Sequence, residues 1–342
     1  MEQILSDLGH ECIAALVGTS KFRKAPEFFI TYFDGKITEF NSPNFIRDKE
    51  KKSIKILQSF VYNLFRAFNY FRSISIINKT VKELKPDLII SFYEPLIGLY
   101  RFFYKRHIPC ISVAHQFGWK YSGYISGGSI TEVLAIRLLT GITAFGSDKL
   151  FCIHPVPKDE IPGTKIVFIP PLLRNEIKQA VVTNNGSITC YLLNSGYKDE
   201  IINWHKSHPE QVINCFLDSL VNEPSTHFNL HFHEIDDKAF IEALISCKAL
   251  ISTAGYETIC EAMYLGKPVL MVPVRNHFEQ YLNSIFFEKS GAGFRSNFYD
   301  INKLLNFTLS FKPVIGLKNW TDKGPTIIEK QISALLNNKS EN

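Results

Sequence analysis

Two glutamates stand at helical spacing behind a glycine in the stretch STAGYETICEAMYLGKPV, which begins at residue 252. The letters before them, KALIST, predict a buried strand that leads into a helix. The first free amides of such a helix stabilise an anion, and phosphate in particular. Gly255 allows either a tight turn or the close approach of a phosphate. Glu257, Thr258 and Glu261 share one face of the helix. A carboxylate one turn from a phosphate can accept hydrogen bonds from a ribose diol.

A second polar cluster follows the next predicted strand, KPVLMVP. It places His277, Glu279, Gln280 and Asn283 at the start of another helix, beside the same end of the sheet. Taken alone, the two glutamates have a simpler interpretation, in which the first complements the helix dipole and the second is a solvated surface residue. The second cluster favours a ligand site, because several polar groups then lie close together at one end of the sheet.

These residues need a scaffold that brings strand ends together. Short apolar runs alternate with helical periods in both halves of the chain, which predicts an α/β fold with doubly wound parallel sheets. A turn-rich stretch without strand period separates the halves near residues 172–187. We therefore expect two Rossmann-like domains, residues 1–175 and 187–342, that face a cleft between the carboxyl ends of their sheets.

Composition excludes several classes of protein. The 342 residues are 45% apolar and 21% charged, as in ordinary soluble globular chains of two domains. A formal charge of +5 without an arginine-rich run does not indicate a nucleic-acid binder. The seven cysteines lack CxxC spacing, which favours the reducing cytoplasm and no structural metal. Neither a signal peptide nor a spanning helix is predicted.

The long motif from residue 252 onwards resembles the GT-B glycosyltransferases. Within them it is similar to the branch whose carboxyl half is like that of the bacterial UDP-N-acetylglucosamine transferase of peptidoglycan synthesis (glycosyltransferase family 28-like). In that branch it looks most similar to MJ1255-like glycosyltransferases. The resemblance is strong from Ile188 to Gly293 and weaker over the amino-terminal half. It implies a GT-B fold whose second domain binds the nucleotide-sugar donor, with the acceptor on the first.

The resemblance also implies roles for individual residues. Gly255, Glu257 and Thr258 would lie by the donor diphosphate, and Glu261 would hold the ribose. Glu279 and Gln280 would contact the donor sugar.

Further positions belong to the same implied site. His277 and Asn283 are part of its signature. Ser195 and Gly196, in LNSGY, would add backbone contacts to phosphate, although a plain strand-to-helix turn explains them equally well. No metal or other cofactor is expected, because helix-terminal amides stabilise the departing nucleoside diphosphate.

One departure from the family concerns the start of the chain. The family opens with a strand and a glycine-rich loop that contains a histidine, whereas MEQILSDLGHEC already resembles the helix after them. We expect an incomplete first domain whose start has been placed too late. The alternative is a protein that lacks part of its acceptor side.

The missing loop leaves the catalytic base open. Inverting transfer needs a group that accepts the proton of the acceptor hydroxyl. His115 ends the strand IPCISVAH and is the first candidate, although such a histidine is more often structural or an acceptor contact. Glu94, in SFYEP, is the second candidate and has a simpler role as the cap of the following helix.

Residues 57–72 carry many aromatic side chains together with Arg66 and Arg72. Leu57, Val61, Leu64, Phe65, Phe68 and Phe71 form a helical stripe. A stripe of this kind is most often part of a core. The alternative is contact with a membrane surface, which would suit a lipid-linked acceptor.

The sequence therefore predicts a cytoplasmic glycosyltransferase. The alternative location is peripheral, on the inner face of the membrane. It would transfer a sugar from a nucleoside-diphosphate sugar, UDP-linked by resemblance, to a saccharide, lipid-linked or small-molecule acceptor. The predicted displacement is metal-independent and inverting. The alternatives are a nucleotide-sugar 2-epimerase of the same fold and a non-catalytic nucleotide-sugar-binding module.

Overall fold

The computed structural model describes residues 1–21, 24–25, 27–44, 46, 56–104, 107–121, 125, 127–192, 198–217 and 226–340. Its contacts divide these residues into two compact units. The first unit comprises described residues of Met1–Ile46, Ile56–Pro170 and Asp322–Asn342, and the second comprises those of Pro171–Thr321.

The first unit contains parallel strands with helices between them. Its strands are β1 (Ala15–Thr19), β2 (Ile37–Asn41), β3 (Ile89–Phe92), β4 (Cys110–Val113), β5 (Lys149–Ile153) and β6 (Ile166–Ile169). Its helices are α1 (Glu2–Asp7), α2 (Glu27–Tyr32), α3 (Ile56–Phe65), α4 (Ala67–Leu84), α5 (Pro95–Tyr104), α6 (Phe117–Tyr121), α7 (Ile130–Ala144) and the final helix of the chain, α15 (Gly324–Ser340).

The second unit is built on one sheet in the order β13-β12-β11-β7-β8-β10-β9, in which β9 alone pairs antiparallel. Its strands are β7 (Ile188–Tyr191), β8 (Ile213–Leu217), β9 (Thr226–His227), β10 (Leu230–Glu234), β11 (Ala249–Ser252), β12 (Val269–Met271) and β13 (Gly293–Arg295). Its helices are α8 (Asn175–Lys178), α9 (Lys198–His205), α10 (Asp237–Ser246), α11 (Tyr256–Tyr264), α12 (Phe278–Lys289), α13 (Ile301–Thr308) and α14 (Leu317–Asp322).

The central strands of the second unit are short apolar runs. Ile188 and Cys190 on β7, Ile213 and Cys215 on β8, and Ile251 on β11 belong to one core from which solvent is excluded. Strands that are apolar on both faces suit a parallel sheet that helices cover on each side. The predicted architecture of parallel sheets with alternating helices is confirmed, and the cysteines in these strands act as small buried hydrophobes.

The strands of the first unit form two separate sheets. β1 pairs only with β2, while β3, β4, β5 and β6 form a parallel sheet of their own. Among the described residues no ladder joins β1 or β2 to β3. The chain reaches β1 after α1, so the prediction that its opening letters form a helix is confirmed. That a further strand and loop belong before α1 stays a prediction.

The helical segment of residues 56–84 differs from the expectation. The helix is interrupted at Arg66, between α3 and α4, and the side chains of α4 that pack into the core are Ile74, Ile77 and Val81. The predicted stripe instead faces solvent, with Phe65 84% and Phe68 82% exposed. Val61, Leu64 and Phe71 are exposed as well, and the side chain of Leu57 lies outside the described residues. The interpretation of this stripe as core is therefore wrong, because the break and the packed stripe turn it outward.

The last helix belongs to the first unit. α15 packs against β6, and Gly324 lies against the ring of Pro170, so that an added Cβ would stand 2.9 Å from the Cγ atom of Pro170. The contacts thus place described residues of Asp322–Asn342 with the first unit. The sequence pattern instead predicts one domain over residues 187–342. Local periodicity predicts a helix there, but it carries no information on which sheet that helix covers.

Among the helices of the described residues, we find none that is both long enough and apolar enough to cross a membrane.

α5 and α7 cross closely in the first unit, and the effect of this crossing on stability can be tested. A Cβ added to Gly98 would lie 1.8 Å from the carbonyl oxygen of Ile142, which is backbone and cannot move alone. We expect Gly98→Ala to lower the free energy of unfolding by about 1–3 kcal/mol, as overpacking does. Thermal and urea unfolding would measure it.

Gly141 is the matched control in α7. A Cβ there meets no atom within 4 Å. Gly141→Ala should stabilise the helix by up to about 1 kcal/mol. Equal effects of the two substitutions would contradict the close crossing.

Candidate active site

The candidate site lies where three strands of the second unit end side by side. Tyr191 at the end of β7 and Met271 at the end of β12 are both in register with Ser252 at the end of β11. The chain continues from β11 into α11 and from β12 into α12. Both predicted polar clusters therefore begin at the same edge of one sheet, where ligands bind in parallel α/β folds.

A strained turn leads from β11 into α11. Ala254 has φ 64, which an alanine adopts at a cost of about 1–3 kcal/mol. The Nδ2 of Asn283 donates to the carbonyl oxygen of Ala254 over 3.1 Å and so holds the turn from α12. Gly255 caps α11 with φ −67, and a Cβ there would meet no atom within 4 Å. The tight turn expected of Gly255 is made by Ala254, which leaves open space above Gly255.

The second loop, from β12 to α12, is also held in place by side chains of α12. The side-chain oxygen of Gln280 accepts from the amide of Val274 over 2.9 Å. His277 caps α12, and its Nδ1 accepts from the amide of Gln280 over 3.5 Å. Asn276 has φ 57, again in the left-handed region. Gln280 and Asn283 are thus buried residues that shape the loops of this site.

Two buried polar atoms at this edge remain without a partner. Within the described part of the chain, neither the Oγ of Ser252 nor the Oδ1 of Asn283 has a hydrogen-bond partner. Buried polar atoms are nearly always paired. Unpaired ones beside a strained turn are typical of a site that a ligand or water completes.

Glu261 is buried and tightly paired. Its side chain is 6% exposed, and Arg174 binds both of its oxygens. The Nε of Arg174 donates to Oε1 over 2.7 Å, and Nη2 donates to Oε2 over 2.6 Å. This bidentate geometry fixes the plane of the carboxylate. The interpretation of Glu261 as a solvated surface residue is therefore excluded. The carboxylate keeps further lone pairs that could accept from a ligand.

Arg174 is itself held in place by its neighbours. Its Nη1 lies 3.6 Å from Asp237 at the start of α10, and its guanidinium carbon lies 6.0 Å from the ring centroid of Phe240. Desolvation alone would lower the pKa of Arg174, but its hydrogen bonds and charge contact with Glu261 raise it. The guanidinium therefore stays charged, as the buried carboxylate requires.

Glu257 differs from Glu261 although it lies one turn away on α11. Its side chain is exposed, and it makes no hydrogen bond or ion pair with a described residue. The side chain reaches the surface, yet the surrounding protein removes part of the water that would hydrate the charge of its carboxyl group. This desolvation, together with the like charge of Glu261, raises the pKa of Glu257 to about 7.

The other residues predicted to bind the nucleotide-sugar donor differ in whether the structure describes them. Thr258 in the first turn of α11 and Glu279 in the first turn of α12 are half-buried at the same edge. Ser195 and Gly196 lie outside the described residues.

The two candidates for the catalytic base lie in the first unit. Glu94 accepts from the hydroxyl of Ser42 over 2.9 Å and from the amide of Leu96 over 3.0 Å, so it caps α5. His115 follows β4, and its ring lies 5.3 Å from that of Trp119. The structure thus gives Glu94 the helix-capping role that was its simpler interpretation. A catalytic role for either residue stays a prediction.

Sequence patterns missed Arg174 and Asp237. Arg174 stands in LLRNEIKQA, part of the stretch without strand period between the two halves, and its partner Glu261 is 87 residues away. One signal was present, since Arg174 is the basic residue that ends the otherwise apolar run IVFIPPLLR. A cation in such a run is often the partner of a buried carboxylate.

Comparison with known proteins now identifies the family. The family model described as glycosyl transferase family 1 matches residues 44–310. The chain belongs to this family. It is therefore a glycosyltransferase with the GT-B fold, and no curated protein sequence matches it.

Solved structures share the fold of this glycosyltransferase at low identity. The glycotransferase of kitacinnamycin is 13% identical with a TM-score of 0.62, and the match covers 98% of this chain and 93% of that one. LpCGTa, solved in complex with UDP, is 12% identical with a TM-score of 0.60 over 98% and 94% of the two chains. MurG of Acinetobacter baumannii is 12% identical with a TM-score of 0.54 over 97% and 94%.

The ion pair of this glycosyltransferase can be tested by stability. We expect Arg174→Met to lower the free energy of unfolding by about 3 kcal/mol, because it leaves the buried carboxylate of Glu261 unpaired. Arg174→Met combined with Glu261→Gln should recover part of that loss, since the amide carries no charge. Urea unfolding of the variants measures both.

Asp237→Asn is the control for this prediction. It removes the more exposed partner of Arg174, at 3.6 Å, and should cost less than about 1 kcal/mol. If Arg174→Met and Asp237→Asn cost the same, Glu261 does not depend on Arg174.

Proposed function

We propose that this glycosyltransferase moves a sugar from a UDP-linked donor to a saccharide, lipid-linked or small-molecule acceptor, by metal-independent inverting displacement. The observation that carries the proposal is the edge formed by β7, β11 and β12. There a fixed carboxylate, Glu261, stands one turn behind the free amino-terminal end of α11. The complex of LpCGTa with UDP, on the same fold, supports a uridine nucleotide.

In this proposal the second unit binds the donor through its two loops. The amides at the start of α11, above the open space at Gly255, would face the diphosphate and stabilise the charge that develops on it as the sugar leaves. Glu261 would accept from the ribose hydroxyls in an orientation that Arg174 sets. Glu279 and Gln280 would contact the sugar, and backbone at Ser195 and Gly196 would add to the phosphate site.

The helix end would replace a metal ion in this scheme. A metal ion usually neutralises the leaving diphosphate, and oriented amides in a water-poor site can do the same without one. No resident cofactor is then needed, and the nucleotide sugar is a substrate.

The acceptor's proton would go to a residue of the first unit. His115 is the first candidate for the base, because it follows a parallel strand, where binding loops begin. Glu94 is the second candidate, although its carboxylate already accepts hydrogen bonds from Ser42 and from the amide of Leu96. The proposal also includes a relationship to the branch of the peptidoglycan transferase and, within that branch, to MJ1255-like proteins. The sequence motif from residue 252 onwards supports it.

Nucleotide binding tests the proposed donor site. In a thermal-shift panel of nucleoside diphosphates and UDP-sugars, we expect UDP compounds to raise the melting temperature, equally with and without EDTA. Glu261→Gln should weaken this stabilisation by about tenfold or more in ligand affinity, because a ribose contact to a charged acceptor is lost.

Glu242→Gln is the matched control, since Glu242 is an exposed glutamate on α10. It should leave the shift unchanged. If no nucleotide stabilises the protein, or if EDTA abolishes the effect, the proposed donor site or its metal independence is wrong.

The exposed aromatic side chains of the first unit support a second part of the proposal. Phe71 lies 5.6 Å from Phe103, Phe103 lies 5.2 Å from Phe102, and Phe102 lies 5.6 Å from Phe145. Together with Phe65 and Phe68, they form what we call the aromatic face. All of these rings are exposed, by between 49% and 84%. A contiguous exposed patch of six aromatic rings is typical of an interaction surface.

Charge favours a membrane as the partner of the aromatic face. Residues 56–82 contain Arg66, Arg72, Lys79 and Lys82 and no acidic residue. Basic side chains among exposed phenylalanines suit the headgroup region of an anionic bilayer. We therefore propose that the enzyme works at the inner face of the cytoplasmic membrane, where a lipid-linked acceptor would be within reach.

Vesicle binding tests the aromatic face. We expect the protein to sediment with vesicles of phosphatidylglycerol and phosphatidylcholine, and less so with pure phosphatidylcholine or at high salt. Phe65→Ser with Phe68→Ser should weaken binding at least about tenfold, because each ring contributes on the order of 1 kcal/mol when it leaves water.

Leu309→Ser with Ile315→Ser is the control, since these side chains are 87% and 97% exposed in the second unit. This variant should bind like the wild type. A concentration-dependent dimer that the phenylalanine variant abolishes, without vesicle binding, would assign the face to a second copy of the chain.

A further inference from the structure

The proposed donor site contains a charge conflict. A nucleotide sugar brings a diphosphate with two negative charges to the start of α11, where Glu257 is in the first turn. An ionised carboxylate at that place would repel the diphosphate by several times the thermal energy in a partly desolvated site. The same position could equally supply a hydrogen-bond donor, if the carboxyl group carried a proton.

We propose that Glu257 is protonated in the donor complex and donates a hydrogen bond to a diphosphate oxygen. This inference rests on the proposed function. It gives Glu257 a role in contact with the substrate, whereas Glu261 one turn later acts as an acceptor. Two glutamates on one helix face would then perform opposite tasks.

The geometry separates the two carboxyl groups. Glu261 is buried, and Arg174 holds both of its oxygens, so its negative charge is compensated. Glu257 has no such partner among the described residues, and it is exposed where a ligand could reach it. The unpaired buried atoms of Ser252 and Asn283 stand at the same turn, which is a second indication that this end of α11 meets a ligand.

The charges around Glu257 favour its neutral form. Desolvation comes first, and the charge of Glu261 comes second, so that the pKa of Glu257 reaches about 7 before any ligand binds. The positive charges of the amino terminus and, less strongly, of Arg174 oppose this shift, and Arg174 is already engaged by Glu261 and Asp237. A bound diphosphate adds further negative charge and would raise the pKa again.

Other groups of the second unit that titrate or carry charge at this edge include Tyr191 at the end of β7, Arg275 in the loop after β12, His277 and Glu279 at the start of α12, and Cys260 on α11. Burial, followed by the charges of Glu257 and Glu261, raises the pKa of Cys260 well above its ordinary value, so it stays neutral. A substitution at Glu257 alone leaves all of these groups in place. It therefore isolates the contribution of Glu257 to any pH dependence.

The sign of the expected pH dependence follows from the site. Below about pH 7 Glu257 is neutral and ready to donate. Above that value the free protein must take up a proton before the diphosphate binds. Affinity should then fall by up to about tenfold for each pH unit. The proton comes from solvent and returns there when the nucleotide leaves.

Calorimetric titration with UDP-glucose and with UDP, from pH 6 to pH 8.5, tests the inference. UDP-glucose lacks the terminal phosphate group that itself titrates near pH 6. We expect the wild type to weaken with rising pH and to take up nearly one proton per ligand at pH 8, measured in buffers of different ionisation enthalpy. Glu257→Gln, whose amide donates at every pH, should bind without pH dependence and more tightly than the wild type at pH 8.5.

Glu257→Ala is the contrasting variant, since it removes both the charge and the donor. It should bind more weakly than Glu257→Gln at every pH. Binding by the wild type that does not depend on pH, or Glu257→Gln binding no better than the wild type at pH 8.5, would overturn the inference and leave the donor site intact. If neither ligand binds at any pH, the proposed function fails, and the inference fails with it.

Discussion

The ion pair between Arg174 and Glu261 is the constraint on which the second unit's site depends. A carboxylate that is 6% exposed cannot keep its charge without a partner, and here the partner comes from the segment before α8. The pair joins positions 87 residues apart, so the segment that enters the unit is tied to α11. Once Glu261 is fixed and charged, it imposes its field on Glu257. The contact thus fixes the position of one carboxyl group and, after desolvation, adds to the raised pKa of the other.

The loops around this pair divide their polar residues between two tasks. Gln280 and Asn283 belong to the sequence signature, yet their side chains hold the backbone at Val274 and Ala254. Their burial explains why an amide is needed at each position, since a backbone amide must be satisfied at one and a backbone carbonyl at the other. The strained turn at Ala254 is stable because α12 supports it. Both loops of the site are therefore held by side chains of a single helix, α12.

Local patterns predicted much of this structure. Strands such as ITCY and ALIS, and the start of α11 behind Gly255, follow from apolar period and turn chemistry, which act over a few residues. Arg174 was not predictable in this way, because a pairing across the chain leaves no periodic trace. The exposure of the aromatic stripe on α3 and α4 was not predictable for a related reason. Periodicity shows that a stripe exists, but the break at Arg66 and the packing of Ile74 and Ile77 decide which stripe is covered.

The return of α15 to the first unit has a consequence for how the protein is made. β6 precedes the described residues of the second unit in the chain, and the helix that packs on β6 is synthesised after them. On the ribosome, the second unit can therefore complete its sheet while the first still waits for a helix. The folding order of the two units need not follow their order in the chain, and a fragment ending near Pro170 would leave one flank of its sheet bare.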